Sequence, residues 1–116
     1  MKAISEFKNI VIHKAPVDLR KSINGLSIIV SEELGLDLKS KSLFVFTNRR
    51  RSHMKILYFD KSGFALWLKR LEGTKFSWPK KIEKDIIEIE ARDMELLLDG
   101  LNIWTRFKEV DFDYVV

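Results

Sequence analysis

The sequence predicts an α+β domain, an antiparallel β-meander sheet with two helices packed on it. Three observations carry that expectation. Short apolar runs rich in β-branched and aromatic residues recur between turn residues through the middle of the chain. Apolar residues at helical spacing follow Asp18 and again follow Ala91. The connections between the central runs are short enough to join antiparallel neighbours.

The first strand is expected over Phe7 to His13, where Ile10-Val11-Ile12 is the β-rich run and Pro16 ends it. Asp18 is the expected N-cap of the first helix. Leu19, Ile23, Leu26, Val30 and Leu34 then form one apolar stripe, and Gly35 suits the C-cap. Gly25 interrupts this stripe at a cost of about 1 kcal/mol relative to alanine. Either the helix begins near Asn24-Gly25, or the glycine permits close packing.

Ser42 to Thr47 and Met54 to Asp60 flank the polar segment Asn48-Arg49-Arg50-Arg51-Ser52-His53, as in a hairpin with a longer loop. Asp60-Lys61-Ser62-Gly63 reads as a turn and Phe64 to Leu71 as a third strand, although its apolar content leaves a helix open. A turn at Glu72-Gly73-Thr74 leads to a fourth strand, Lys75 to Trp78. Beyond Pro79 a further strand is expected over Asp85 to Glu90. Met94, Leu97, Leu98 and Leu101 mark the second helix, with Gly100 near its end.

Composition narrows the function. The chain has 116 residues, read as a single domain over 1–116, with no cysteine and two histidines. Thiolate metal sites, thiol nucleophiles, disulfides and histidine-rich metal sites are thereby excluded. No apolar run has the length of a membrane span, and the N-terminus lacks a secretory apolar core, so a soluble, cytoplasmic protein without membrane contact is expected.

The formal net charge is +4, unevenly distributed. Residues 1–38 balance, 39–81 carry twelve Lys/Arg against Asp60 and Glu72, and 82–116 carry ten Asp/Glu against four Lys/Arg. A concentrated basic segment points to a polyanionic partner. The alternative is mutual neutralisation of the basic and acidic blocks.

Arg49-Arg50-Arg51 is the sharpest local feature, three guanidinium forks that a hairpin loop presents away from its sheet. Lys55, Leu57 and Phe59 share one strand face, and Trp67 and Lys69 share another. If those faces coincide, they make a lysine–aromatic surface suited to nucleic acid. Otherwise they belong to an ordinary half-buried sheet with lysines at its margin. Trp104 is either an interface residue or packs back on the domain. Asp18, Asp60 and Glu72 are the only acids near the basic segment that could serve a metal-dependent nuclease, and each has a capping or turn explanation. No nucleophile motif, phosphate-cradling glycine loop or dinucleotide fingerprint occurs. No catalytic residue, metal or cofactor is therefore expected.

The ordered series Asp18-x-Arg20-Lys21, Asn24-Gly25-Leu26, Leu43-Phe44-Val45-Phe46, Arg49-Arg50-Arg51, Lys55, Asp60, Gly63, Lys69-Arg70-Leu71-Glu72-Gly73, Phe76, Trp78-Pro79, Leu97 and Gly100 resembles a known family. It is similar to the small TnpB-type, or Orf2-like, accessory protein of the insertion sequence 66 family of bacterial transposable elements, over roughly His13 to Gly100. The resemblance implies a non-catalytic accessory role in DNA transposition, beside a separate transposase and companion transposition proteins. It also directs attention to Arg20, Lys21, Arg49, Arg50, Arg51, Lys55, Lys69 and Arg70 as nucleic-acid-binding residues. DNA is the expected partner. The alternative is a protein-interaction module that docks on the transposase without touching DNA.

Overall fold

The computed structural model describes residues 1, 3–80, 82–105 and 107. Five strands form one open sheet: β1 (Asn9–His13), β2 (Ser42–Thr47), β3 (His53–Asp60), β4 (Gly63–Arg70) and β5 (Ile86–Ile89). Their spatial order is β4-β3-β2-β1-β5. The α+β class holds, with helices α1 (Ile23–Ile28) and α2 (Ala91–Leu98) on the sheet. The meander extends only over β2, β3 and β4, because β1 pairs parallel with β2 and antiparallel with β5.

The core explains why the inner strands are apolar without alternation. Ile10 and Ile12 of β1 face the α2 side, where Leu43, Val45, Met54, Ile56, Met94 and Leu97 are buried. Val11 faces the α1 side with Phe44, Phe46, Leu57, Leu26 and Val30. A strand covered on both faces carries apolar residues at successive positions. His13, at the end of β1, is also buried, with Nδ1 2.8 Å from the Ala15 carbonyl oxygen.

The first helix starts later than expected. Asp18 caps a turn instead: its Oδ1 accepts the Arg20 N–H at 2.9 Å, and its carbonyl accepts the Lys21 N–H at 3.0 Å. An aspartate satisfies its own backbone two residues on as readily as it caps a helix. Ser22 takes the N-cap position, and a Cβ on Gly25 would lie 3.1 Å from the Lys21 Cβ. Glycine thus stands both near the helix start and at a close approach. The helix continues with π-helical spacing over Ile29–Glu33 and ends before Gly35, whose φ is +65°.

Lys75 to Trp78 is not a strand. This segment runs as a strap, held by the Phe76 N–H on the Arg51 carbonyl at 2.8 Å and by Trp78 Nε1–H on the Lys14 carbonyl at 2.9 Å. Phe76 and Trp78 are buried, so the apolar pattern reflects core closure without ladder pairing. The expected strand Phe64 to Leu71 is found as β4, Gly63–Arg70, which ends one residue earlier and resolves the helical alternative. Trp104 packs back on the domain, edge-on to Trp78 at 6.4 Å, with Nε1–H donated to the Ser77 carbonyl. Acidic residues 109, 111 and 113 lie outside the described residues.

α2 closes at Gly100, where φ is +84°. The N–H groups of Gly100 and Leu101 return to the carbonyls of Leu97 and Leu96, a Schellman closure. Leu101 therefore lies beyond the helix and is exposed. Gly100→Ala is expected to cost about 1–2 kcal/mol, since an L residue is strained there and its Cβ would meet the Leu71 Cδ1 at 3.2 Å. Gly63→Ala, with open space around the new Cβ, should stay within about 0.5 kcal/mol. Urea-denaturation midpoints of the two variants check this contrast.

Candidate nucleic-acid interface

Strand directions gather the basic loops at one end of the sheet. The C-terminal ends of β1, β2 and β4 lie beside the N-terminal ends of β3 and β5, as the pairs Ile12↔Val45, Thr47↔Met54, His53↔Arg70 and His13↔Ile86 show. Segments 14–22, 48–52, 71–76 and 79–85 therefore leave or enter the sheet at the same end. They bring Arg20, Lys21, Arg49, Arg50 and Arg51 together, and add Lys14, Lys75, Lys80 and Lys84.

The β2–β3 loop is built to hold its backbone and release its arginines. Asn48 Oδ1 accepts the N–H groups of Ser52 and His53 at 3.0 and 3.2 Å, while Asn48 Nδ2 donates to Ser52 Oγ. The Arg51 N–H closes the turn on the Asn48 carbonyl at 3.0 Å. Arg51 adopts a left-handed φ of 59°, as the residue ending such a turn commonly does. Arg49 and Arg50 are exposed and Arg51 is half-buried. Among the described residues, no hydrogen bond or ion pair engages these three guanidinium groups.

Val17 ties the neighbouring loop to this hairpin by donating its N–H to the Thr47 carbonyl at 2.9 Å. A groove of about 540 Å³ results, with Asp18 and Arg20 on one wall and Arg49 and Arg50 on the other. A larger groove of about 920 Å³ lies alongside, lined by Lys21, Arg51, Lys80 and Lys84 but also by Asp18, Glu33, Glu83 and Asp85. Acids are therefore denser in the second groove, whereas Asp18 is the one carboxylate on the first and pairs there with Arg20. Lys14, which also lines it, donates its ammonium to the Ile82 carbonyl.

The remaining candidate residues have other partners. Lys55 Nζ donates to the Lys21 carbonyl at 2.9 Å, fixing the turn before α1. Lys69 Nζ donates to the Leu98 carbonyl at 2.8 Å, where a cation favourably meets the C-terminal end of α2. Arg70 forms a 2.6 Å ion pair with Glu72. The expected lysine–aromatic face does not form. Lys55, Leu57 and Phe59 pair with Leu68, Leu66 and Phe64 on the α1 face, whereas Lys69 and Trp67 pair with Met54 and Ile56 on the α2 face. Asp60 and Glu72 lie at opposite ends of β4, separated by more than about 20 Å at strand rise. They cannot converge on one metal pair.

Arg20 is oriented by Asp18 through Nε bonds of 3.0 Å and an Nη2–Oδ2 contact of 2.7 Å. That side-chain bond, followed by the Arg20 N–H, lowers the Asp18 pKa from 3.8 to about 2. A depressed folded-state pKa makes the pair's contribution present above pH 3.8 and lost as pH falls through about 2. Both side chains face water, at 92% and 47% exposure, so the stabilisation is small. An NMR titration should find the Asp18 carboxyl near pH 2. In Arg20→Ala the midpoint should return toward 3.8.

No helix among the described residues is long and apolar enough to cross a membrane. Residues 8–108 match the family described as IS66 Orf2 like protein. Two relatives come from Sinorhizobium fredii (strain NBRC 101917 / NGR234). The uncharacterized protein y4jC is 34% identical over 99 residues, covering 85% of this chain and 83% of its own length. The uncharacterized protein y4hO is 34% identical over 85 residues, covering 73% of each. No solved structure matches the chain. With the family match spanning the whole sheet and the loops that carry Arg20, Arg49 and Arg50, the chain belongs to the IS66 Orf2-like family and is thereby associated with IS66 insertion sequences.

Proposed function

We propose that this protein is a non-catalytic accessory protein of DNA transposition that holds the DNA backbone on its basic strand-end surface. The observation carrying this reading is the groove in which Arg49 and Arg50, free of protein partners among the described residues, face Arg20. Guanidinium groups are suited to bidentate pairing with phosphate. Lys21 and Arg51 extend the same surface. Lys55 and Lys69 serve the fold through their carbonyl partners, and Arg20 and Arg70 each contribute less than Arg49 and Arg50 because Asp18 and Glu72 pair with them. Binding is electrostatic and only weakly sequence-selective, since phosphate contacts position a protein without reading bases.

Contacts to about five phosphates give a slope of log affinity against log salt near −4 to −5. Replacing Arg49 and Arg50 together with alanine is expected to weaken binding to every duplex sequence and make the slope shallower by about two. Lys69→Met should leave binding unchanged while lowering thermal stability. Fluorescence anisotropy over a salt series checks the binding of all three proteins, and a circular-dichroism melt checks the stability of Lys69→Met. A slope near zero, or an Arg49/Arg50 variant that binds as the parent does, refutes the proposal.

The larger groove favours a second reading. Its interleaved cations and anions suit a protein surface better than a polyanion. In this reading the protein docks on the transposase or a companion transposition protein through Lys80, Glu83, Lys84 and Asp85. Capture of the transposase from nuclease-treated extract should then persist, and charge reversal at Lys80 and Lys84 should abolish it. Loss of capture on nuclease treatment alone assigns the association to DNA.

A further inference from the structure

β4 is one edge of the sheet, and among the described residues no strand pairs with its outer side. An open edge carries unpaired N–H and C=O groups and is normally shortened, bulged, interrupted by proline or covered. The opposite edge, β5, is short, with four residues. β4 has eight, contains no proline, and pairs with β3 residue for residue from Asp60↔Gly63 to His53↔Arg70 without a bulge. Lys69 could guard the edge, but its ammonium is held by α2. Leu68 is 54% exposed, on the same sheet side as α1, whose Ile28 is 52% exposed.

We infer that β4 pairs antiparallel with β4 of a second copy of this chain, extending two sheets into one. The strand is self-complementary. A two-fold axis normal to the sheet keeps both α1 faces on one side, so the pairing must centre on a residue. Centred on Leu66, it sets Leu68 against the partner's Phe64 and Trp67 against the partner's Ala65. Centred on Trp67, it would instead set Arg70 against the partner's Phe64 and crowd two indoles. Charge selects the antiparallel sense. It keeps the two Lys69-Arg70 ends apart and turns the basic strand-end surfaces in opposite directions, whereas parallel pairing would stack them. None of Arg20, Arg49 or Arg50 takes part, so this pairing and the DNA reading stand or fall separately.

The absence of native cysteine makes single-cysteine trapping clean. Light scattering of the parent protein should give twice the chain mass of 13.7 kDa, with little dependence on salt. Leu68→Lys, at an exposed position, should keep its circular dichroism spectrum and raise the dimer dissociation constant about tenfold or more. Under mild oxidation Leu66→Cys should cross-link, while Ser62→Cys, far from its own symmetry mate, should not. A monomer even at millimolar concentration overturns the inference. So does a dimer indifferent to Leu68→Lys, equal cross-linking at positions 62 and 66, or a monomer whose β4 amides resist hydrogen exchange because another partner occupies the edge.

Discussion

The parallel pairing of β1 with β2 decides where everything else lies. Its register, from Asn9↔Ser42 to Ile12↔Val45, sets Val11 beside Phe44 on the α1 side and sends Ile10, Ile12, Leu43 and Val45 to the α2 side. A slip of one residue would exchange every one of these faces. The same register carries the chain past His13 to Val17, whose N–H reaches Thr47. The loop holding Arg20 and the loop holding Arg49 and Arg50 are adjacent for this reason, although they are distant in sequence. Packing of the inner strands and assembly of the cationic groove are consequences of one ladder.

Electrostatic specialisation within the basic segment follows from backbone accounting. Carbonyls at a helix end or in a loop need donors, and lysines supply them: Lys69 to Leu98 at the end of α2, Lys55 to Lys21 in the turn before α1, and Lys14 to Ile82 in the loop before β5. A compact ammonium on a flexible stem suits that duty. In the hairpin, Asn48 satisfies the loop backbone with its own amide group, so no arginine is drawn into structural service there. The result is a division between Lys14, Lys55 and Lys69, which fasten the fold, and Arg49 and Arg50, which face solvent. Net charge alone obscures this division, because both kinds count equally.

Local features were legible in the sequence, and long-range ones were not. The β2–β3 hairpin and the position of Arg49–Arg51 follow from neighbouring residues, and so do α2 and its glycine closure. Asp18 misleads because an Asx-type turn and a helix N-cap use the same carboxylate chemistry, and only the position of Ser22 separates them. Lys75–Trp78 misleads because Phe76 and Trp78 alternate as a strand would, while burying themselves from a strap. The connection from His13 to Ser42 contains a helix, which is the usual form of a parallel crossover. That helix is the feature from which the β1–β2 pairing could have been read. Likewise, a two-residue loop at Lys61-Ser62 sets Asp60 opposite Gly63 and hence Lys55 opposite Leu68. This parity already separates Lys55 from Lys69. The roles of Lys14, Lys80 and Lys84 required the three-dimensional neighbourhood, since their loops meet only through the sheet.

Strand ends and strand edges impose different chemistry on this sheet. At the ends, loops close their own hydrogen bonds and leave side chains free to carry charge, as the Asn48 turn does. Along an edge, the backbone itself remains unpaired, and side-chain charge only discourages a partner. β4 spends its one well-placed lysine on α2 and leaves Leu68 facing outward. The cations that give the molecule its polyanion-directed surface are thus displaced from the edge that they would otherwise protect. That displacement separates the two surfaces by direction: the arginine loops point along the strands, whereas the open ladder of β4 points across them. A partner strand on β4 consequently leaves the Arg20–Arg49–Arg50 groove unobstructed, and phosphate in that groove adds no charge along the β4 ladder.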